Sequence, residues 1–172
     1  AEAVCIGEGT KTDEVFDLLA HLLDKSLVLA EEHTKTARYR MLETIRQYAL
    51  AKLATSGEAD AVRRRHAEYY LALTKEGELF TELVEPAQLD RIEAEHDNLR
   101  SALAWSESAM GSAELGLRLA RALSVFWYYR AYWSEAHGWL EGALAHPEAA
   151  NYPQARAWVL YQLGSMSGAQ SD

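Results

Sequence analysis

Between Asp13 and Leu53 the spacing of apolar residues runs from helical to alternating and back to helical, and few folds accommodate that order of elements. Val15, Leu18, Leu19, Leu22 and Leu23 recur at the interval of one helical face, with Asp13 placed as its N-cap. Such a face is expected to be buried. Ser26 to Ala30 is then a short apolar run suited to a strand, and the polar stretch Glu31 to Thr36 separates it from Ala37 to Leu42, where Tyr39 and Met41 alternate with Arg38 and Arg40. That pattern predicts a β-hairpin. From Glu43 the period is helical again, with Ile45, Tyr48, Ala49 and Leu53 on one side and Arg46 and Lys52 on the other.

Helix, hairpin and helix in this order form the second half of a winged-helix unit, and residues 1–57 are read as a truncated one. Downstream the pattern is entirely helical. Gly57 suits the left-handed residue that ends the helix after the hairpin, and Ala59 to Lys75 follows with Val62, His66, Tyr69, Tyr70 and Leu73 as its apolar face. Glu76 to Ala87, with Gly77 and Pro86, reads as a loop or a frayed helix end. Gln88 to Ser106 carries Leu89, Ile92, His96, Leu99 and Leu103 as one stripe. Ala113 to Arg130 and Tyr132 to Ala145 then form an antiparallel pair, and Pro153 to Ser167 a last helix. Ala136, Leu140, Ala143 and Pro147 follow the small, large, small and proline order that closes a tetratricopeptide unit, while Ser124 and Ala131 stand where glycine would be usual. The fold class expected is mainly α: a truncated winged helix with one hairpin, then antiparallel helical hairpins of tetratricopeptide type over residues 58–172.

The stretches LLAHLLDKSLVLAEE and RYRMLETIRQYALAKL resemble a segment of the bacterial STAND-class signalling ATPases, which include large LuxR- and AfsR-type transcriptional regulators. EADAVRRRHAEYYLAL, LDRIEAEHDNLRSALAW and LGLRLARALSVFWYYR continue the likeness. The resemblance implies a winged helix that packs on a nucleotide-binding domain and helical repeats that sense a protein or a small ligand. ATP and magnesium would then belong to that other domain, and DNA would be met through another part of the parent. No cofactor is expected in the present residues. The partial helix Ala1 to Cys5 and the absence of a helix after Pro153 to Ser167 suggest a piece cut from a longer protein.

Composition narrows the function classes further. Of 172 residues, 26 are acidic and 17 basic, a net charge of −9 that opposes a dominant nucleic-acid surface. Basic residues nevertheless gather between Lys35 and Arg65, and Arg38, Arg40, Arg63 and Arg64 are candidates for contact with phosphate or with a neighbouring domain. A single cysteine, Cys5, excludes an internal disulfide, and no apolar run could span a bilayer, so a cytoplasmic protein with no membrane partner is expected. There is no phosphate-loop motif and no nucleophile elbow, and Gly7-Glu8-Gly9 is too short a pattern for phosphate binding. No enzyme activity is expected.

Two local features need both a functional and a plainer reading. Glu93 and His96 have the E-x-x-H spacing of carboxylate-bridged metal sites, but no second copy exists, so a packed and paired core histidine is the expectation and a metal-dependent helical enzyme the rival. Trp127, Tyr128, Tyr129, Tyr132 and Trp133 form an aromatic run that either fills the core or presents a partner-binding face. A second rival is a DNA-binding winged helix with a helical oligomerisation domain. It is opposed by the helix that would read bases, which carries Asp13, Glu14, Asp17 and Asp24 and no Lys or Arg.

Overall fold

The computed structural model describes residues 1–6, 12–33, 36–75 and 85–169. Residues 76–84 of the expected loop, the Gly7 and Gly9 break and the position of Lys35 lie outside the described residues. Among the described residues the fold is mainly α, with one two-stranded antiparallel hairpin and a series of helical hairpins. It divides into two compact units, Ala1–Arg65 and His66–Asp172.

In the first unit, α1 (Glu2–Cys5) and α2 (Thr12–Asp24) precede β1 (Leu29–His33) and β2 (Thr36–Arg40), and α3 (Glu43–Ser56) leads into α4 (Ala59–Lys75), whose opening turns belong to this unit. Asp13 lies inside the first turn of α2 and is not its N-cap. The strands sit later and earlier than the alternation predicted, because Ser26 does not begin a strand. It takes a left-handed conformation, φ 55°, and closes α2: its N–H bonds Leu23 O at 2.8 Å and that of Leu27 bonds Leu22 O at 2.9 Å. This is the paired Schellman closure of a helix end. Val28, which is buried, then leads into a ladder that pairs Leu29 with Arg40 and Glu31 with Arg38. Glu31 also meets Arg40 at 3.0 Å, so opposite charges across the strands support a hairpin of mostly polar residues.

Burial in this unit is sparse. Val15 is buried, Leu19, Leu22 and Leu23 are half-buried, and Leu18 is exposed, so the expected α2 face is covered only in part. α3 has no buried residue; Tyr48 and Leu50 are exposed, and Ile45, Ala49 and Leu53 half-buried. Glu43 accepts hydrogen bonds from Arg46 and Gln47 on its surface. Gly57, φ 81°, ends α3 as its sequence predicts. Arg65 Nε donates to Val4 O at 2.8 Å and fastens α4 to α1.

The second unit holds the large core. After the remainder of α4 come α5 (Pro86–Ala94), α6 (His96–Ser106), α7 (Ala113–Tyr129), α8 (Trp133–Ala145), the short turn Ala149–Asn151 and α9 (Pro153–Ala169). The helix expected over Gln88 to Ser106 is thus two helices. The break is at Glu95, φ −105° and ψ 9°, whose carboxylate accepts from Tyr70 Oη at 3.1 Å and Asn98 Nδ2 at 2.7 Å. The apolar stripe crosses the break, and Leu89, Ile92, His96, Leu99 and Leu103 are all buried. On α4 the buried face is Ala67, Leu71 and Thr74, rotated from the expected one, and Tyr69 is exposed.

Helix α7 is central, with α6, α8 and α9 packed on it, and Leu115, Leu117, Leu119, Leu123, Phe126 and Trp127 are buried along it. Its N-cap Ser112 accepts from Leu115 N. Gly116 lets α6 approach closely, since a Cβ there would lie 2.8 Å from the Ser106 hydroxyl. Ala136, Leu140 and Ala143 put the small, large and small side of α8 into the core, as the spacing predicts. α9 contributes Val159 and Met166 and leaves Leu160 and Tyr161 exposed.

Candidate functional site

The end of α7 and the start of α8 bring together most of the chemistry-bearing residues of the second unit. The corner is Arg130-Ala131-Tyr132. Tyr132 N donates to Trp127 O at 2.9 Å and Ala131 N to Tyr128 O at 3.3 Å, with Ala131 at φ 58°. This is the closure seen at Ser26, again without glycine. It leaves the side chains of Tyr128, Tyr129 and Trp133 flanking the corner, while Arg130 and Tyr132 reach α5.

Five residues were candidates for a partner-binding face, and the structure separates them. Trp127 is fully buried among Phe126, Leu123 and their neighbours and so cannot meet a partner; the helical period that exposes Tyr128 turns it inward. Tyr132 is a strut, its hydroxyl donating to Glu93 Oε1 at 2.6 Å and its ring tilted against His96 and Phe126. The Glu93 contact pushes the Tyr132 phenol above its ordinary range, since a carboxylate acceptor disfavours loss of the proton. Trp133 is half-buried, and Tyr128 and Tyr129 are 53% and 59% exposed. Their rings form an edge-to-face chain: Tyr128 meets Tyr129 at 5.7 Å and 79°, and Trp133 at 5.1 Å and 84°.

Beneath this corner lies a charged network. Glu135 on α8 accepts from Arg100 Nε at 2.8 Å and Nη2 at 2.6 Å, a two-pronged pair, and from Trp139 Nε1 at 3.2 Å. Its carboxyl is held below the usual range, first by the Arg100 hydrogen bonds, with His96 and Trp139 adding to it; burial opposes them. Arg100 is correspondingly raised. His96 Nε2 lies 3.0 Å from Glu135 Oε1 without forming a directed hydrogen bond, and the ring packs edge-on to Phe126. Arg130 pairs with Asp90 and approaches Glu93 at 3.4 Å.

The E-x-x-H residues are thereby engaged elsewhere: Glu93 with Tyr132 and Arg130, His96 in the core beside Glu135. Among the described residues no group of three or more His, Cys, Asp or Glu is placed to hold a metal ion. Sequence reasoning missed Arg100 and Glu135, which lie 35 positions apart and each look like a surface charge in isolation. A separate shallow groove of about 310 Å³ lies where α7 begins and α9 begins, lined by Glu114, Arg118, Asn151, Tyr152 and Gln154, with Arg118 and Glu114 already paired at 2.8 Å.

In the first unit Arg38 is half-buried, opposite Glu31 in the ladder, and Arg40 is paired with the same carboxylate. Arg63 is half-buried and Arg64 exposed on α4. The candidate arginines therefore occupy two separate elements. Cys5 is exposed. No described helix is long and apolar enough to cross a membrane.

No protein-family model matches the chain, and no solved structure does. It is similar to the "Putative HTH-type transcriptional regulator Rv0890c" of Mycobacterium tuberculosis, at 43% identity over 148 residues, covering 83% of this chain and 16% of that protein. The same figures hold for the "Putative HTH-type transcriptional regulator Mb0914c" of Mycobacterium bovis. The "Uncharacterized protein Rv0894" of M. tuberculosis is 50% identical over 50 residues, 29% of this chain and 13% of that protein. The chain spans about a sixth of the length of the regulators it matches.

Proposed function

We propose that this chain is a non-catalytic regulatory segment of a transcriptional regulator, and that the parent is a STAND-type ATPase. The helix–hairpin–helix unit packs on the nucleotide-binding domain of the parent, and the helical hairpins of the second unit receive a protein or small-ligand signal. The observation that carries the reading is the extent of the likeness: most of the chain matches a small part of much larger proteins named as transcriptional regulators. The distribution of burial agrees with it. The second unit has an extended buried core and outward aromatic rings, and the first presents a helix, α3, none of whose residues is fully buried. ATP and magnesium would be bound outside this chain. Signalling would then be a shift between two packed arrangements of the parent, to which these residues supply contacts and no chemistry.

The test is ATP turnover and reporter transcription by the intact parent regulator with and without residues 66–172. Deletion is expected to change turnover or its dependence on the activating signal. Unchanged turnover and unchanged output refute the reading. A second reading, direct DNA binding by the first unit, is favoured by Arg38 and Arg40 on the hairpin and by the helix-turn-helix naming of the relatives. It requires salt-dependent binding of random duplex that the Arg38→Glu, Arg40→Glu variant loses.

A further inference from the structure

We infer that the α7–α8 corner receives an arginine-bearing segment of a partner protein, the guanidinium lying on the rings of Tyr128, Tyr129 and Trp133. The inference rests on the signal-receiving role proposed above and names the chemistry of the partner. Phe126 and Trp127 satisfy the core from the same stretch, so Tyr128 and Tyr129 are not needed for packing and keep half or more of their surface in water. Because Tyr128 stands nearly perpendicular to both neighbours, the cluster does not collapse into a single stack. Aromatic faces carry partial negative charge and attract cations.

Three further features select a cation. Helix α7 ends at Tyr129, so the negative end of its dipole lies among these rings. The adjoining network holds four carboxylates, Asp90, Glu93, Asp97 and Glu135, against the two guanidiniums of Arg100 and Arg130 and the His96 ring beside Glu135. Asp90 and Asp97 remain largely exposed within it. An anionic partner meets repulsion from each of these. Arginine is preferred to lysine because its flat, weakly hydrated head stacks on a ring and forks onto a carboxylate together. The same unit already makes such a contact, with Arg121 placed 5.1 Å from the Trp158 ring.

The test is calorimetric titration of the full 172-residue chain with a hexa-arginine peptide, with hexa-lysine and hexa-glutamate as comparisons. Hexa-arginine is expected to bind more tightly than hexa-lysine, and hexa-glutamate not to bind. The Tyr128→Ala, Tyr129→Ala variant should lose affinity by about five-fold or more, while Tyr128→Phe, Tyr129→Phe keeps it, all at an unchanged melting midpoint. Asp90→Asn with Asp97→Asn should weaken binding and flatten its salt dependence. Absence of hexa-arginine binding, equal affinity for hexa-lysine, or undiminished affinity in the ring-less variant overturns the inference. If any of these occurs while deletion of residues 66–172 still alters the parent's turnover, the corner is wrong and the regulatory reading stands.

Discussion

Replacing Glu135 by Gln tests whether the buried network holds α6 to α8. The carboxylate accepts both prongs of Arg100 and the Trp139 indole N–H, and Gln offers one carbonyl plus an amide that must face a donor. Hydrogen bonds to a charged group contribute roughly 1.5–3 kcal/mol each when buried. Glu135 is 18% exposed but Arg100 is 43% exposed, so water recovers a large part of the loss and the expected cost is about 2 kcal/mol. For a unit of this size that lowers the melting midpoint by roughly 8 °C. All five tryptophans lie between Trp105 and Trp158, so indole fluorescence reads this unit alone. The sign with pH follows from the direction of the shift. The Glu135 carboxyl is depressed in the folded state, so its contribution is complete above the unfolded value of about 4.3 and lost as pH falls through the folded value. The gap between parent and variant should therefore be flat from neutral pH to about 5 and close below that. A gap under about 0.5 kcal/mol at pH 7, or one that persists at pH 2, refutes the argument.

Other perturbations have equally definite directions. Ala131→Gly should stabilise the second unit by about 1 kcal/mol, read as a higher urea midpoint, because an L-residue in the left-handed region carries a steric cost that glycine lacks. Gly111→Ala should cost roughly 2–3 kcal/mol, since its Cβ would collide with the carbonyls of Trp105 and Ser106; Gly138→Ala, with nothing within 4 Å, should gain up to about 1 kcal/mol. Glu107→Gln should raise the melting midpoint at pH 7 and leave it unchanged in acid. Burial lifts the Glu107 carboxyl above its ordinary value, so its ionisation destabilises the fold as pH rises through the range between the unfolded and folded values.

Legibility in the sequence followed the range of the interaction. The interior of α7, the Ala136, Leu140 and Ala143 side of α8 and the Gly57 stop depend on residues within a few turns of one another, and periodicity exposes such relations directly. The corner at Ala131 was legible, since two helical patterns meet there at a position where glycine would be usual, whereas that at Ser26 was opaque because serine does not advertise a left-handed conformation as glycine does. The break at Glu95 was hidden for a different reason. Its side chain is held by Tyr70 on another helix, and local propensity there favours an unbroken one. Within the aromatic run, helical spacing separates Trp127 from Tyr128, but which of them faces inward depends on where α6 and α9 lie. Arg100 and Glu135 could not be paired from the chain alone, because nothing in either neighbourhood points to the other.

The bareness of α3 has a measurable meaning for exchange of its amide hydrogens. A helix of 14 residues with no fully buried side chain is near the limit at which its own hydrogen bonds keep it wound. Its amides should trade deuterium far sooner than those of α7, and should slow sharply only when a binding surface covers Tyr48 and Leu50. Protection of that one segment is thus a direct gauge of whether the first unit has been docked.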